Sequence, residues 1–372
     1  MRTRDDALVY QETQSSDKTT KTWDLNYLDP LSALYLEFEA TNEATNVNNF
    51  LSDVITKVEI VEGSTPLYSL TEQELEALHF YKRKRPPVLF PSSWNAGTQR
   101  HGVLMMFGRD LWDTEYALNC KAYKNPQLKI TWDLGAVNAL GGTTSFAEGT
   151  LKISAIAKLM EEIGEPGKFL SAREVDTFTM PTSGTHPTEM YTDYPWRLMM
   201  LRSYISGSDP DECIDYFKLN CDAGKFIPLD NRYLKQLDAE ALEMFGEMRF
   251  RHDILTATAA SIRGLLQKET RFDFKPSLTN EFTVFSHPVQ FSGLVTMNFV
   301  ARDGSSAGTR RLWGEEFGHS LHATVPIPFG DMDKPETWFD ATRYGRIDLL
   351  CHAGGSAGVS SVVLEQVRPN GE

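Results

Sequence analysis

No run of about eighteen uninterrupted apolar residues occurs, the length a helix needs to cross a bilayer, so no transmembrane helix is expected. Positive charge is in short supply: 37 Lys and Arg stand against 51 Asp and Glu, leaving −14 at pH 7. Such a surface repels phosphate, which argues against wrapping nucleic acid and against a specific nucleic-acid sequence as a partner. Cysteine is scarce as well. Cys120, Cys213, Cys221 and Cys351 form no CxxC pair and no metal-ligand spacing. They are expected to be reduced thiols of a cytosolic folding environment, with disulfides left open; Cys120 and Cys351 fall in expected strands as small apolar residues. The first residues are too polar for a signal peptide, and residues 1–18 are expected to form a flexible or partner-bound arm. The sequence also lacks a GxSxG, a Ser-His-Asp order and any paired carboxylates of defensible geometry.

Side chains that carry chemistry elsewhere are present, but they build no motif along the chain. His319 and His322 make an HxxH with no third ligand at a useful spacing, and the HxH…E…H set of jelly-roll metalloenzymes is missing. His79, His101, His252, His287 and His352 stand without a cysteine or acidic ligand cluster and are read as surface or core-edge residues. Accordingly no catalytic residue, metal ligand or cofactor is assigned. Asp209, Asp211 and Glu212 form an acidic loop that suits calcium in ligand type, yet it lacks the EF-hand spacing and reads as a solvated turn. The segment 353–358 (AGGSAG) has the glycines of a phosphate cradle but no Lys-Ser/Thr, and reads as a turn between the last two strands. Trp112, Trp132, Trp196, Trp313 and Trp338 could serve as sugar platforms, but core packing is their default role. The basic run Lys82-Arg83-Lys84-Arg85, followed by Pro86-Pro87, reads as the last turn of a helix, where cations are favoured.

What the sequence does contain is a duplication. Residues 103–133 (VLMMFGRDLWDTEYALNCKAYKNPQLKITWD) parallel residues 324–352 (TVPIPFGDMDKPETWFDATRYGRIDLLCH). Each has an apolar run ending in Phe-Gly, an acidic Trp-containing stretch and an alternating strand. Earlier, residues 55–80 (ITKVEIVEGSTPLYSLTEQELEALHF) parallel residues 214–245, each a strand, a Gly turn, a short apolar segment with Pro and a helix with Ala-Leu. The order is the same in both copies, and the period is far too long for a solenoid, so two copies of one domain are expected.

Alternation predicts strands over 21–26, 34–39, 54–61, 103–107, 117–123, 128–132 and 150–159 in the first copy. In the second they fall at 175–179, 196–205, 214–219, 321–327, 346–351 and 361–367. Thr71–Glu74 is a capping box opening a helix that runs to about Lys84, and the second helix lies near 234–245. A linker is expected at 162–167. The copies differ by an insertion at about 246–328, with a helix at 257–269, strands at 281–285 and 291–301, and a Gly/Ser turn at 304–308; insertions this long carry function. The 26 glycines and 18 prolines, spread along 372 residues, fit many turns and short strands. The fold class is therefore all-β: two tandem eight-stranded jelly rolls, a double jelly roll, each with a short helix and the second with the long insertion. The division is an arm at 1–18, a first jelly roll at 19–165 and a second at 166–372.

The strand–Gly–helix unit VEIVEGSTPLYSLTEQELEALHF and the unit VLMMFGRDLWDTEYALNCKAYKNPQLKITW carry a resemblance. The chain resembles the double jelly-roll major capsid proteins of tailless icosahedral double-stranded DNA viruses, the tectivirus and adenovirus-like lineage. That resemblance implies a non-enzymatic virion protein: a homotrimer of six jelly rolls with a pseudo-hexagonal footprint, contacting other capsomers and minor capsid or penton proteins. The outer loops, the insertion among them, would form a tower, and the inner end would face a membrane or the packaged genome. Assembly would follow folding in the host cytoplasm. The alternative is a double-jelly-roll carbohydrate-binding or glycan-hydrolysing protein, which would need exposed aromatic platforms or an acidic pair at the domain junction.

Overall fold

The structure is a computed structural model that describes all residues except 44–49, 91–96, 136–145, 206–208, 257–260, 263–267, 277–285, 290–296, 299–309 and 372. Of Phe90 and of the described residues between 250 and 317 it gives the backbone only. Eight main strands lie before residue 162, most of them on alternating sequence: β1 (Arg2–Thr13), β2 (Lys18–Asp24), β3 (Leu31–Thr41), β4 (Ile55–Glu62), β5 (Thr65–Leu70), β6 (Thr98–Met106), β7 (Pro126–Asp133) and β8 (Lys152–Glu161). Helix α1 (Glu72–Arg83) lies between β5 and β6. Eight more follow: β9 (Lys168–Met180), β10 (Thr185–Met190), β11 (Trp196–Tyr204), β12 (Ile214–Cys221), β13 (Phe226–Tyr233), β14 (Thr324–Pro328), β15 (Ile347–Ala353) and β16 (Gly358–Pro369). Helix α2 (Leu234–Phe245) lies between β13 and β14.

The pairing repeats strand for strand. In the first half the orders are β1-β8-β3-β6 and β2-β7-β4-β5; in the second they are β9-β16-β11-β14 and β10-β15-β12-β13. Adding eight to each label of the first half gives the second. This is the wiring of a jelly roll, present twice. A short strand at Val88–Phe90 extends the first sheet beyond β6, and a parallel bridge between Ser69 of β5 and Arg173 of β9 joins the halves into one eight-stranded sheet.

The duplication extends to single hydrogen bonds. Leu31 and Leu118 exchange backbone bonds of 2.8 and 3.0 Å, as Trp196 and Phe339 do at 2.8 and 3.1 Å. Phe107 N–H donates to the Ser32 carbonyl and Phe329 N–H to that of Arg197, both at 3.0 Å. Both Phe-Gly pairs need their glycine: a Cβ at Gly108 would lie 2.7 Å from the Tyr116 carbonyl, and one at Gly330, where φ is +86°, 2.5 Å from that of Thr337.

Three expectations change. Residues 2–13 are not an arm but strand β1, paired along its length with β8. Its faces are mostly exposed, so the hydrophobic alternation that betrays a half-buried strand is absent. Residues 117–123 are not a strand: isolated bridges at Tyr116 and Leu118 lead into a 3-10 turn at Cys120–Ala122, matched by the turn at Ala341–Arg343. Within the expected helix at 257–269, Ser261–Ile262 is a short strand paired with Met297–Asn298, and Lys268 begins another strand. The insertion forms its own antiparallel sheet in the order Met248–Thr256, Arg310–His319, Lys268–Pro276, Ser286–Val289. The expected strand at 281–285 and the turn at 304–308 lie outside the described residues, as does most of 291–301.

The two helices are copies in sequence but not in burial. Leu78 of α1 is 1% exposed and packs in the same apolar cluster as Leu198, Met200 and Val363 of the second half. The matching Leu242 of α2 is 37% exposed. Leu78→Ala is expected to lower the unfolding free energy by about 2–5 kcal/mol. Leu242→Ala should cost less than about 1 kcal/mol, both read from urea unfolding midpoints.

Candidate functional site

Helix α1 is the structural centre of the molecule. Its capping box forms as expected: the Thr71 hydroxyl accepts from the Glu74 amide at 3.2 Å, and the Glu74 carboxylate accepts from the Thr71 amide at 2.9 Å. Glu72, Glu74, Leu75, Glu76, Ala77, Leu78, His79, Phe80 and Tyr81 are all buried, so the helix has polar groups facing the interior on several sides. A buried charge is costly unless it is paired, and most of these find partners in the second half of the chain.

Lys82 is the clearest case. Its ammonium donates to Glu365 of β16 at 2.7 Å, and Glu365 also accepts from Arg197 of β11 at 2.6 Å. The three side chains are 1–2% exposed. Burial pulls Lys82 down from its ordinary 10.5 to about 8, against the opposing pull of Glu365. Burial pushes Glu365 up, but the charges of Lys82 and Arg197 more than reverse this and leave it below its ordinary value. The basic run 82–85 is thus the end of a helix, as expected, but its first member points into the protein. Other bonds also cross the junction. Ser361 donates to Glu74 at 2.5 Å, Tyr81 to the Thr324 carbonyl at 2.5 Å, and Arg368 to the Pro66 carbonyl at 3.0 Å. Tyr81 and Phe245 meet edge to face at 4.9 Å.

A second polar cluster lies at the start of α1. Glu72 and Glu76, four residues apart, share a helix face, and β6 carries His101 beside them. His101 Nδ1 lies 3.0 Å from Glu76 and 3.6 Å from Glu72, with all three side chains fully buried. The reading of His101 as a histidine without acidic ligands is therefore corrected: the helix supplies two carboxylates that are distant in sequence. His322 Nε2 lies 2.5 Å from the other Glu76 oxygen. Its HxxH partner His319 turns instead to Asp238 of α2 at 3.3 Å, so the two histidines serve different carboxylates. Burial raises Glu72 to about 7 despite His101. It would raise Glu76 too, but the charge and hydrogen bonds of His101, then those of His322, bring Glu76 down to about 2. His101, which burial alone would lower, is raised to about 10 by Glu76 and Glu72. His79 is a neutral acceptor: burial lowers it to about 4, and its Nδ1 receives the Leu104 amide at 2.9 Å.

The other singled-out residues take structural roles. Pro210–Cys213 is a short helix, and the 353–358 turn packs against it: a Cβ at Gly354 would lie 2.1 Å from the Asp211 carbonyl. Its glycine thus serves close backbone approach. Trp132, Trp196 and Trp338 are 1%, 0% and 7% exposed, which removes them as sugar platforms; Trp338 donates to the Asp331 carbonyl at 2.8 Å. Trp112 is partly buried, and the Trp313 side chain lies outside what is described. An open cleft of ≈ 390 Å³ is lined by Phe226, Phe339 and Tyr344 among others, but their rings stack on one another, 5.8 Å apart for Phe226 and Tyr344 and 5.6 Å for Phe339 and Tyr344. All four cysteines are free and buried.

No family model matches the chain, and no curated protein matches it by sequence. Solved structures do match it. The crystal structure of the STIV MCP superposes with a TM-score of 0.60 at 10% identity, over 100% of this chain and 98% of that one. The major capsid protein P2 from bacteriophage PM2 gives 0.56 at 10% identity, over 99% and 98%. The quasi-atomic model of the PBCV-1 virus capsid gives 0.56 at 7% identity, over 98% and 93%. The likeness is one of fold, and that fold is the double jelly roll, including the segment 2–13.

Glu365→Gln leaves two buried cations without a counter-charge and is expected to destabilise the protein by about 3–5 kcal/mol in urea unfolding. The lysine also gives a pH signature. Between about pH 8 and 10.5 the unfolded chain holds the Lys82 proton and the folded chain does not, so this group makes stability rise with pH there. Lys82→Met should remove that contribution, flattening the stability–pH slope over this window relative to the native chain.

Proposed function

We propose that the chain is the major capsid protein of an icosahedral virus, divided between Glu161 and Lys168 into two jelly rolls and assembling as a homotrimer. The observation that carries this reading is the strand-for-strand repeat of one jelly roll within a single body. Two equal lobes per chain, taken three times around an axis, give six lobes. Such a block has a near-hexagonal outline and tiles a flat facet while keeping only three-fold symmetry. Cyclic contacts of this kind are heterologous and closed, so the first half of one chain meets the second half of the next. They require different patches on the two halves. Large apolar side chains exposed on each fit that need: Tyr10 and Leu28 in the first half, Phe226, Tyr233, Leu242 and Met244 in the second.

The insertion sheet between α2 and β14 is the natural tower, because it leaves and re-enters the second jelly roll between neighbouring elements without disturbing the strand order. The acidic charge suits a shell that has no affinity of its own for the genome. Penton and minor capsid proteins, and a membrane or packaged genome at the inner end, are the expected neighbours. Localisation is the virion, after folding in the host cytoplasm, and no catalytic step is assigned.

The first test is native mass by light scattering. The chain is 42.0 kDa, so the trimer should appear near 126 kDa. Six-lobed particles of that mass are expected in electron micrographs. A stable monomer of 42.0 kDa at micromolar concentration contradicts the proposal.

A further inference from the structure

The cluster at the start of α1 holds a buried carboxyl group that its described neighbours do not satisfy. Glu72 is fully buried, yet neither carboxylate oxygen accepts a hydrogen bond from the described residues, and His101 Nδ1 stands 3.6 Å from it. Among the described residues His101 Nε2 lacks a hydrogen-bond partner as well. Buried polar atoms are almost always paired, so an orphaned carboxylate aimed into a cluster calls for an explanation. One oxygen each from Glu72 and Glu76 and a ring nitrogen of His101 lie within 4.8 Å of one another, the group of metal-capable side chains found among the described residues.

We propose that Glu72, Glu76 and His101 bind a divalent transition-metal ion, with Zn2+ the best fit. Ligands about 2.1 Å from a tetrahedral ion stand about 3.4 Å apart. The 3.0 and 3.6 Å separations from His101 Nδ1 bracket that value. The donor set is one imidazole nitrogen and two carboxylate oxygens, a mixture that suits zinc. It does not suit calcium, which takes six to eight oxygens at longer range. Two carboxylates and one dication also cancel in charge, the condition a dry interior imposes. The ion would tie α1 to β6. Because the second oxygen of Glu76 bonds His322, it would also fix the segment through which the insertion rejoins the second half. The site is independent of the capsid reading, since it belongs to one chain and is read on one chain.

The test uses tag-free protein from cells grown in zinc-supplemented and, separately, manganese-supplemented medium, desalted into metal-free buffer. Bound metal is counted by mass spectrometry, and thermal midpoints are compared with and without EDTA. The native chain should retain about one zinc per chain and lose thermal stability in EDTA. Glu72→Gln keeps the shape of the side chain and removes a buried charge, so it should fold. It should hold at least tenfold less metal and show a midpoint that EDTA does not change. Glu72→Ala should behave alike and serves as the second variant. A native chain that retains no metal from either medium overturns the proposal, and so does either variant retaining as much as the native chain.

Discussion

Three charged side chains closed off from water fix how the two halves of this molecule meet. Lys82 comes from the helix of the first half, Glu365 and Arg197 from the second, and none has appreciable contact with solvent. A buried ion pair is not in itself a large source of stability, because stripping water from each charge offsets most of the attraction. Its consequence is specificity. Moving the halves apart by a few ångströms would leave buried charges unpaired, whereas an apolar seam would tolerate sliding. The hydrogen bonds from Ser361 to Glu74 and from Tyr81 to Thr324, and the apolar contacts around Leu78, follow from that fixed register.

This explains why duplicated sequences have diverged in burial. In α2 the buried residues form one face, Leu234, Leu237, Asp238, Ala241 and Phe245, as in any helix capping a sandwich. In α1 nine residues are buried, three of them glutamates. The first helix has become an internal element between two jelly rolls, and its polar residues are the means by which it recognises the second. For the proposed capsid role, rigidity between lobes is the property that matters: a hinge there would let the outline of the block vary.

Most of the architecture was legible in the sequence because it is written twice. The paired Phe-Gly segments, the capping box and the alternating strands at 55–62 and 214–221 each give a strong local signal. β1 was not legible, because an exposed edge strand such as RTRDDALVYQET has no apolar face to announce it; only its pairing with β8 makes it a strand. The polar junction was hidden for another reason. Lys82 and Glu365 are 283 positions apart, and a lysine in a run of basic residues carries no mark of burial. The Glu72–Glu76–His101 cluster left a faint trace. Both Phe-Gly segments are preceded by a histidine, in HGVLMMFG and HATVPIPFG, and these two, His101 and His322, converge on Glu76.

The central claim is that two jelly rolls of one design form a single body through a buried polar junction. Differential scanning calorimetry of the purified protein tests it most directly. One endotherm, with calorimetric and van't Hoff enthalpies in agreement for the cooperative unit, is the result this account predicts. Two resolved transitions, each carrying about half of the total enthalpy, would mean that the halves unfold independently and would contradict it.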